Sequence, residues 1–148
     1  MDPRQARTSN QDAALGYLFL RATLGANIFF HGLSRILAGA DKFVAALVQQ
    51  FHATPLPSGM VSAFAHVLPW VEAAIGFLVL LGAATRFALC AGALVIIALT
   101  FGSTLQQDWN AAGLQLIYAA VYAALLAFRD KNVFSVDALL ARQKPSAE

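Results

Sequence analysis

Charge is scarce in this sequence. Asp, Glu, Lys and Arg make up 12% of its 148 residues, where an average soluble domain carries about 25%. Apolar residues make up 59%, and a soluble domain this short leaves too much of its surface wet to hide them all. The shortage of charge therefore excludes a surface built for water and points to lipid as the solvent. Cysteine is nearly absent as well. Cys90 stands alone, which excludes an internal disulfide, a CxxC pair and a cysteine-held zinc or iron–sulfur site. In its apolar run Cys90 reads as a small buried hydrophobe. The formal net charge of +2 is small, and the basic residues lie mainly towards the ends. That excludes a nucleic-acid partner. There is no flavin or dinucleotide fingerprint, no haem motif, no long-period repeat and no low-complexity tract.

What is present is four apolar runs, about 13–37, 60–84, 87–106 and 111–128, each near the roughly twenty residues that cross a hydrocarbon core. Arg4 and Arg7 precede the first run, which holds Arg21 and Asn27 and has no clean cleavage site. It reads as an uncleaved first span. Two shorter amphipathic stretches, about 42–51 and 134–142, are expected at the interfaces, with Asp41 capping the first. Pro69 is expected to break and kink the second span, and Thr85 and Arg86 to form the turn after it. The expected fold is all-α: one domain over 1–148, an integral membrane four-helix bundle with short interfacial helices. The N-terminus, the second loop and the C-terminal tail hold seven lysines and arginines, and the other side holds only Arg35 and Lys42. This places both termini in the cytoplasm of a bacterial inner (cytoplasmic) membrane. Gly25, Gly32, Gly76, Gly82 and Gly92 suit close helix approach.

Polar groups inside spans are costly and need partners. At 1.5 Å rise per residue, Arg21 lies roughly 12 Å and Glu72 roughly 18 Å from one membrane edge, so the two are expected to pair. The pair reads either as a structural register pin or as a proton-linked site. His31, His66 and Gln115 fall at one depth near the other edge. Thr100, Ser103, Thr104 and Gln107 share one face of the third span, and Gln115, Tyr118 and Tyr122 one face of the fourth. Together they predict a polar-lined pocket in that half of the bundle. Such a pocket suits a ligand with an apolar body and a polar head, such as a quinone, whose two carbonyl oxygens accept hydrogen bonds. The expected ligand contacts are His31, His66, Gln115, Tyr118, Tyr122 and Asn27, with Glu72, Arg21 and His31 at the chemistry. The two histidines have no metal-ligand spacing, so no metal is expected, nor haem or flavin.

Three segments resemble the DoxX family of small four-helix membrane proteins, which includes the DoxD-type subunit of thiosulfate:quinone oxidoreductase. They are Arg21-x-x-x-Gly25-x-x-x-Phe29-x-His31-Gly32-x-x-Arg35, Glu72-x-x-x-Gly76 with Gly82 and Thr85-Arg86, and Phe134-Ser135-Val136-Asp137-Ala138-Leu139-Leu140. The resemblance implies a membrane subunit of a redox complex that passes electrons from a sulfur compound such as thiosulfate to quinone, with His31, Arg21 and Glu72 in its functional core. The alternative is a non-catalytic scaffold or assembly partner for a redox or stress-response enzyme. Either reading calls for the lipid bilayer and for a partner subunit or a second copy of the chain. A transporter is disfavoured, since no inverted repeat and no continuous polar path is visible.

Overall fold

The computed structural model describes residues 3–143. Six α-helices follow one another: α1 Pro3–Leu37, α2 Ala40–Gln50, α3 Ser58–Leu81, α4 Thr85–Leu105, α5 Trp109–Ala127 and α6 Val136–Gln143. A single 3-10 turn, Arg129–Lys131, precedes α6. Four of the helices, α1, α3, α4 and α5, are long and apolar enough to cross a membrane. Only 17–39% of each crossing window is buried within the protein. Phe19, Phe30, Trp70, Phe87, Leu94 and Ile117 are all exposed. Water does not tolerate so continuous an apolar surface, so lipid covers it and the chain is a multi-pass membrane protein.

Antiparallel packing of α1 on α3 is the most extensive contact, and α4 on α5 the next. On α1 the buried stripe runs through Ala14, Tyr17, Arg21, Leu24, Gly25 and Gly32. On α3 it runs through Val61, Ala65, Leu68, Glu72, Ile75, Gly76 and Val79. Both follow the helical period. Glycine fixes how closely and in what register the pair meets: a Cβ on Gly25 would strike the backbone of Leu80, one on Gly76 the backbone of Phe29, and one on Gly32 the backbone of Pro69 and Ala73. Without a hydrophobic force between helices in lipid, such close backbone contact is what holds them. Helix α3 continues through Pro69 rather than breaking there, with Pro69 buried against Gly32.

At the end of the bundle carrying both described termini, side chains close the helix ends across long sequence distances. Gly82 adopts a left-handed conformation (φ 66°), and Ala83 N–H donates to Leu78 O at 3.0 Å, which terminates α3. The turn is therefore Gly82–Ala84, and Thr85 already begins α4. Helix α4 has no capping side chain of its own. Asp137 supplies one, accepting from Ala84 N–H and Thr85 N–H, both at 2.8 Å. Burial raises the Asp137 carboxyl, but the donated Thr85 and Ala84 hydrogen bonds outweigh it and hold the carboxyl below its ordinary value. Asn132 Nδ2 donates to Thr85 Oγ1 at 3.0 Å, and Ser135 Oγ accepts from Ala138 N–H at 3.1 Å to start α6.

The start of α2 also differs from expectation. Gly39, at φ 100°, precedes it, no side chain caps it, and Asp41 lies inside its first turn. Cys90 is exposed on the apolar flank of α4, not buried.

Candidate functional site

Between the α1/α3 pair and the α4/α5 pair lies a cavity of 270 Å³. All four crossing helices line it: Asn27, His31 and Arg35 from α1, Glu72 and Ile75 from α3, Gly92, Val95, Ile96 and Leu99 from α4, and Gln115, Tyr118 and Tyr122 from α5. Its walls are mainly aliphatic, and its polar groups are few and convergent. Its place follows from α4 and α5. Glycine at 92 leaves room for the Tyr122 ring to lie against α4, where any Cβ would collide with it. That draws the tyrosine inward to 1% exposure.

Inside the cavity the charges pair differently from the sequence expectation. Glu72 Oε2 accepts from Arg35 Nη1 in an ion pair. The Arg35 guanidinium also sits over the Phe43 ring of α2, 4.6 Å from its centroid. Arg21 does not reach Glu72. Its Nη1 donates to Val79 O at 2.6 Å and Leu80 O at 2.7 Å, and its Nη2 to Phe134 O at 2.9 Å. It thus satisfies the last carbonyls of α3 and ties down the chain before α6, a favourable place for a cation. The expected Arg21–Glu72 pair fails on register. The glycine contacts set Arg21 level with the end of α3, and Glu72 lies seven residues before Val79, roughly 10 Å along the helix.

The remaining residues divide between cavity and elsewhere. Tyr118 Oη donates to Asn27 Oδ1 at 2.9 Å and bridges α5 to α1, which otherwise touch sparingly. Gln115 Nε2 donates to Ser103 Oγ at 2.9 Å. Gln115 Oε1 is buried with no partner among the described residues. His31 lines both the cavity and a shallow outer groove on α1 with Thr23, Phe30 and Ser34. His66 stays outside. It is exposed, and its Nδ1 lies 2.8 Å from Ser62 O. One position from buried Ala65, it falls off the packed stripe of α3. On α4, Thr100 and Thr104 donate back to their own helix, at Ile96 O and Thr100 O, and of the expected polar face only Ser103 bonds to a neighbouring helix. Arg35 was not expected in the site, although its spacing from Arg21 puts it on the same α1 face. Among the described residues no three His, Cys, Asp or Glu converge as a metal-binding group.

The family model described as methylamine utilisation protein MauE matches residues 14–113. That span includes the whole α1–α3 crossing, α4, and the cavity residues Asn27, His31, Arg35 and Glu72. No curated protein and no solved structure matches the chain. The match corrects the DoxX resemblance, for MauE is a different membrane family. The residues that carried the resemblance explain the confusion. Gly25, Gly32 and Gly76 are helix-crossing contacts, Arg21 is a helix-end cap and Asp137 a remote cap. Any tight antiparallel pair of membrane helices has use for such residues. The chain belongs to the MauE family.

Proposed function

Taking membership of the MauE family as the premise, we propose that this protein is a membrane component of a redox system for amine utilisation and that its cavity holds the ring of a quinone. One observation carries the reading: a chamber at membrane depth with apolar walls and a few convergent hydrogen-bonding groups. An apolar cavity of about 150 Å³ accepts a benzene ring, so 270 Å³ leaves room for one ring with polar substituents. Arg35 and the Tyr122 hydroxyl are donors for the two carbonyl oxygens of the quinone. The free Gln115 Oε1 is an acceptor that only the hydroxyl of a quinol, not the quinone, can satisfy. Glu72 and His31 are the groups through which the two protons of reduction can exchange.

Amine oxidation releases two electrons, and a quinone taking up two electrons and two protons becomes a quinol. The sequence carries no flavin, haem or cluster motif, so the electrons reach the quinone from an amine-oxidising partner subunit. Seven basic residues against two favour the cytoplasmic membrane of a bacterium with both termini inside. Thiosulfate, an expectation that rested on DoxX, is not retained as the donor.

The test is equilibrium binding of a short-tailed ubiquinone to the protein in nanodiscs, followed by quenching of Trp109. Saturable binding, weakened about tenfold or more in Tyr122→Phe or Arg35→Met, is the expected result. Binding that does not saturate, or that ignores both substitutions, refutes the reading. The absence of any redox motif favours one other role, that of an accessory that assembles the partner enzyme. In that case partner activity survives His31→Ala and Glu72→Gln but not deletion of this chain.

A further inference from the structure

A second cavity, of 530 Å³, lies beneath α2 at the end of the bundle away from the described termini. Its lining is largely apolar, with Phe43 and Leu47 of α2, Phe51 just after it and Phe64 of α3, and it also includes Gln106 and Asp108. It adjoins the first cavity, for Arg35, Leu99, Ala111 and Gln115 line both. The two differ in some of the side chains that line them. Glu72, Tyr118 and Tyr122 face only the first, and the α2 side chains only the second. Arg35 stands at the junction, paired with Glu72 on one side and stacked on Phe43 on the other.

We propose that the cavity under α2 receives the polyprenyl tail of the ligand whose ring occupies the first cavity. This rests on the quinone reading above and adds the form of the ligand: a long-tailed isoprenoid quinone. Size supports it. If about 150 Å³ suffices for six apolar carbons, 530 Å³ takes on the order of twenty, or about four isoprene units. The wall supports it too, for Phe43 and Leu47 of α2 and Phe64 of α3 present apolar side chains to the cavity. In lipid the tail gains little from leaving other hydrocarbon, so its contribution is packing against the rings of α2 and α3. The amphipathic helix α2 is then the wall of a ligand channel.

The experiment uses a quinone bearing about four isoprene units with a diazirine at the tail end, photolysed in nanodiscs and mapped by peptide mass spectrometry. Label on α2 and the first turns of α3 supports the proposal. Leu47→Trp, which fills the channel, is expected to weaken the long-tailed quinone about tenfold or more and leave a tailless quinone within about twofold. Label beside Thr23 and Phe30 overturns the proposal, since the tail then leaves between α1 and α5. Diazirine-labelled phospholipid that marks α2 and is not displaced by quinone also overturns it. Saturable binding of the tailless quinone with no label under α2 removes the tail channel but leaves the ring site standing. Failure of the tailless quinone to bind removes both.

Discussion

Replacing Arg35 by leucine strands the Glu72 carboxylate, and the structure indicates how much that costs. Removing one partner of a buried ion pair costs about 3–5 kcal/mol, while removing both is often near neutral. The Glu72 side chain is only 5% exposed and that of Arg35 27%. Arg35→Leu therefore leaves a charge that cannot reach water, at a cost of about 3 kcal/mol. Glu72→Leu leaves a cation that can tip towards solvent and keep its contact with Phe43, at a cost of about 1–2 kcal/mol. In the double variant, Arg35→Leu with Glu72→Leu, the two introduced leucines are apolar neighbours in an apolar wall, and stability returns to within about 1 kcal/mol of the parent. The coupling is then about 3–5 kcal/mol. Reversible unfolding by SDS in mixed micelles, run on the parent, both single variants and the double, measures it. Additive losses would show that the pair is not an energetic unit and that Glu72 is solvated or otherwise partnered. The stable double variant should nonetheless lose quinone binding, which separates packing from recognition.

Four other perturbations have definite outcomes. Asp137→Asn removes a charged acceptor from the start of α4 and should lower stability by about 1–2 kcal/mol. Because the Asp137 carboxyl is held below its ordinary value of 3.8, its contribution is full above that value and fades as pH falls through the lower folded value. An acid titration of unfolding should show this loss in the parent and not in Asp137→Asn. Arg21→Met should release the segment around Phe134 and α6, read as protease cleavage there while Glu72-dependent ligand binding persists. Gly76→Leu should cost about 3 kcal/mol or more by driving α1 and α3 apart, whereas Gly16→Ala, in open space, should be stabilising by about 0.5–1 kcal/mol. Circular dichroism melts in detergent distinguish the two.

Much of the fold was legible because its solvent is lipid. Runs such as 60–84 and 87–106 are too long and too apolar for anything but a crossing helix, and the observed α3 and α4 fall within about three residues of them. That Gln115, Tyr118 and Tyr122 line one cavity followed partly from helical spacing, which fixes who shares a face. The partner of Glu72 was not legible, because facing residues depend on register between helices. Depth along α1 has no fixed origin in the sequence, because the helix begins at Pro3, well before the apolar run at residue 13, and carries no mark of the membrane edge. The glycines that set the register were visible, but their facing partners were not. The partners of Arg21 were not legible for a related reason. Its acceptors are main-chain carbonyls, one of them at Phe134, 113 residues away, and a carbonyl leaves no trace in a sequence. Depth alone groups His66 with His31 and Gln115. The buried stripe of α3 excludes it by angle.

Native mass spectrometry of the protein released from its own membrane tests the ring site most directly. The expected spectrum shows one quinone bound per chain in the parent, and the bare chain when Gly92→Val displaces the Tyr122 ring into the cavity. A parent that emerges bare, or a quinone adduct that persists unchanged in Gly92→Val, would contradict the assignment.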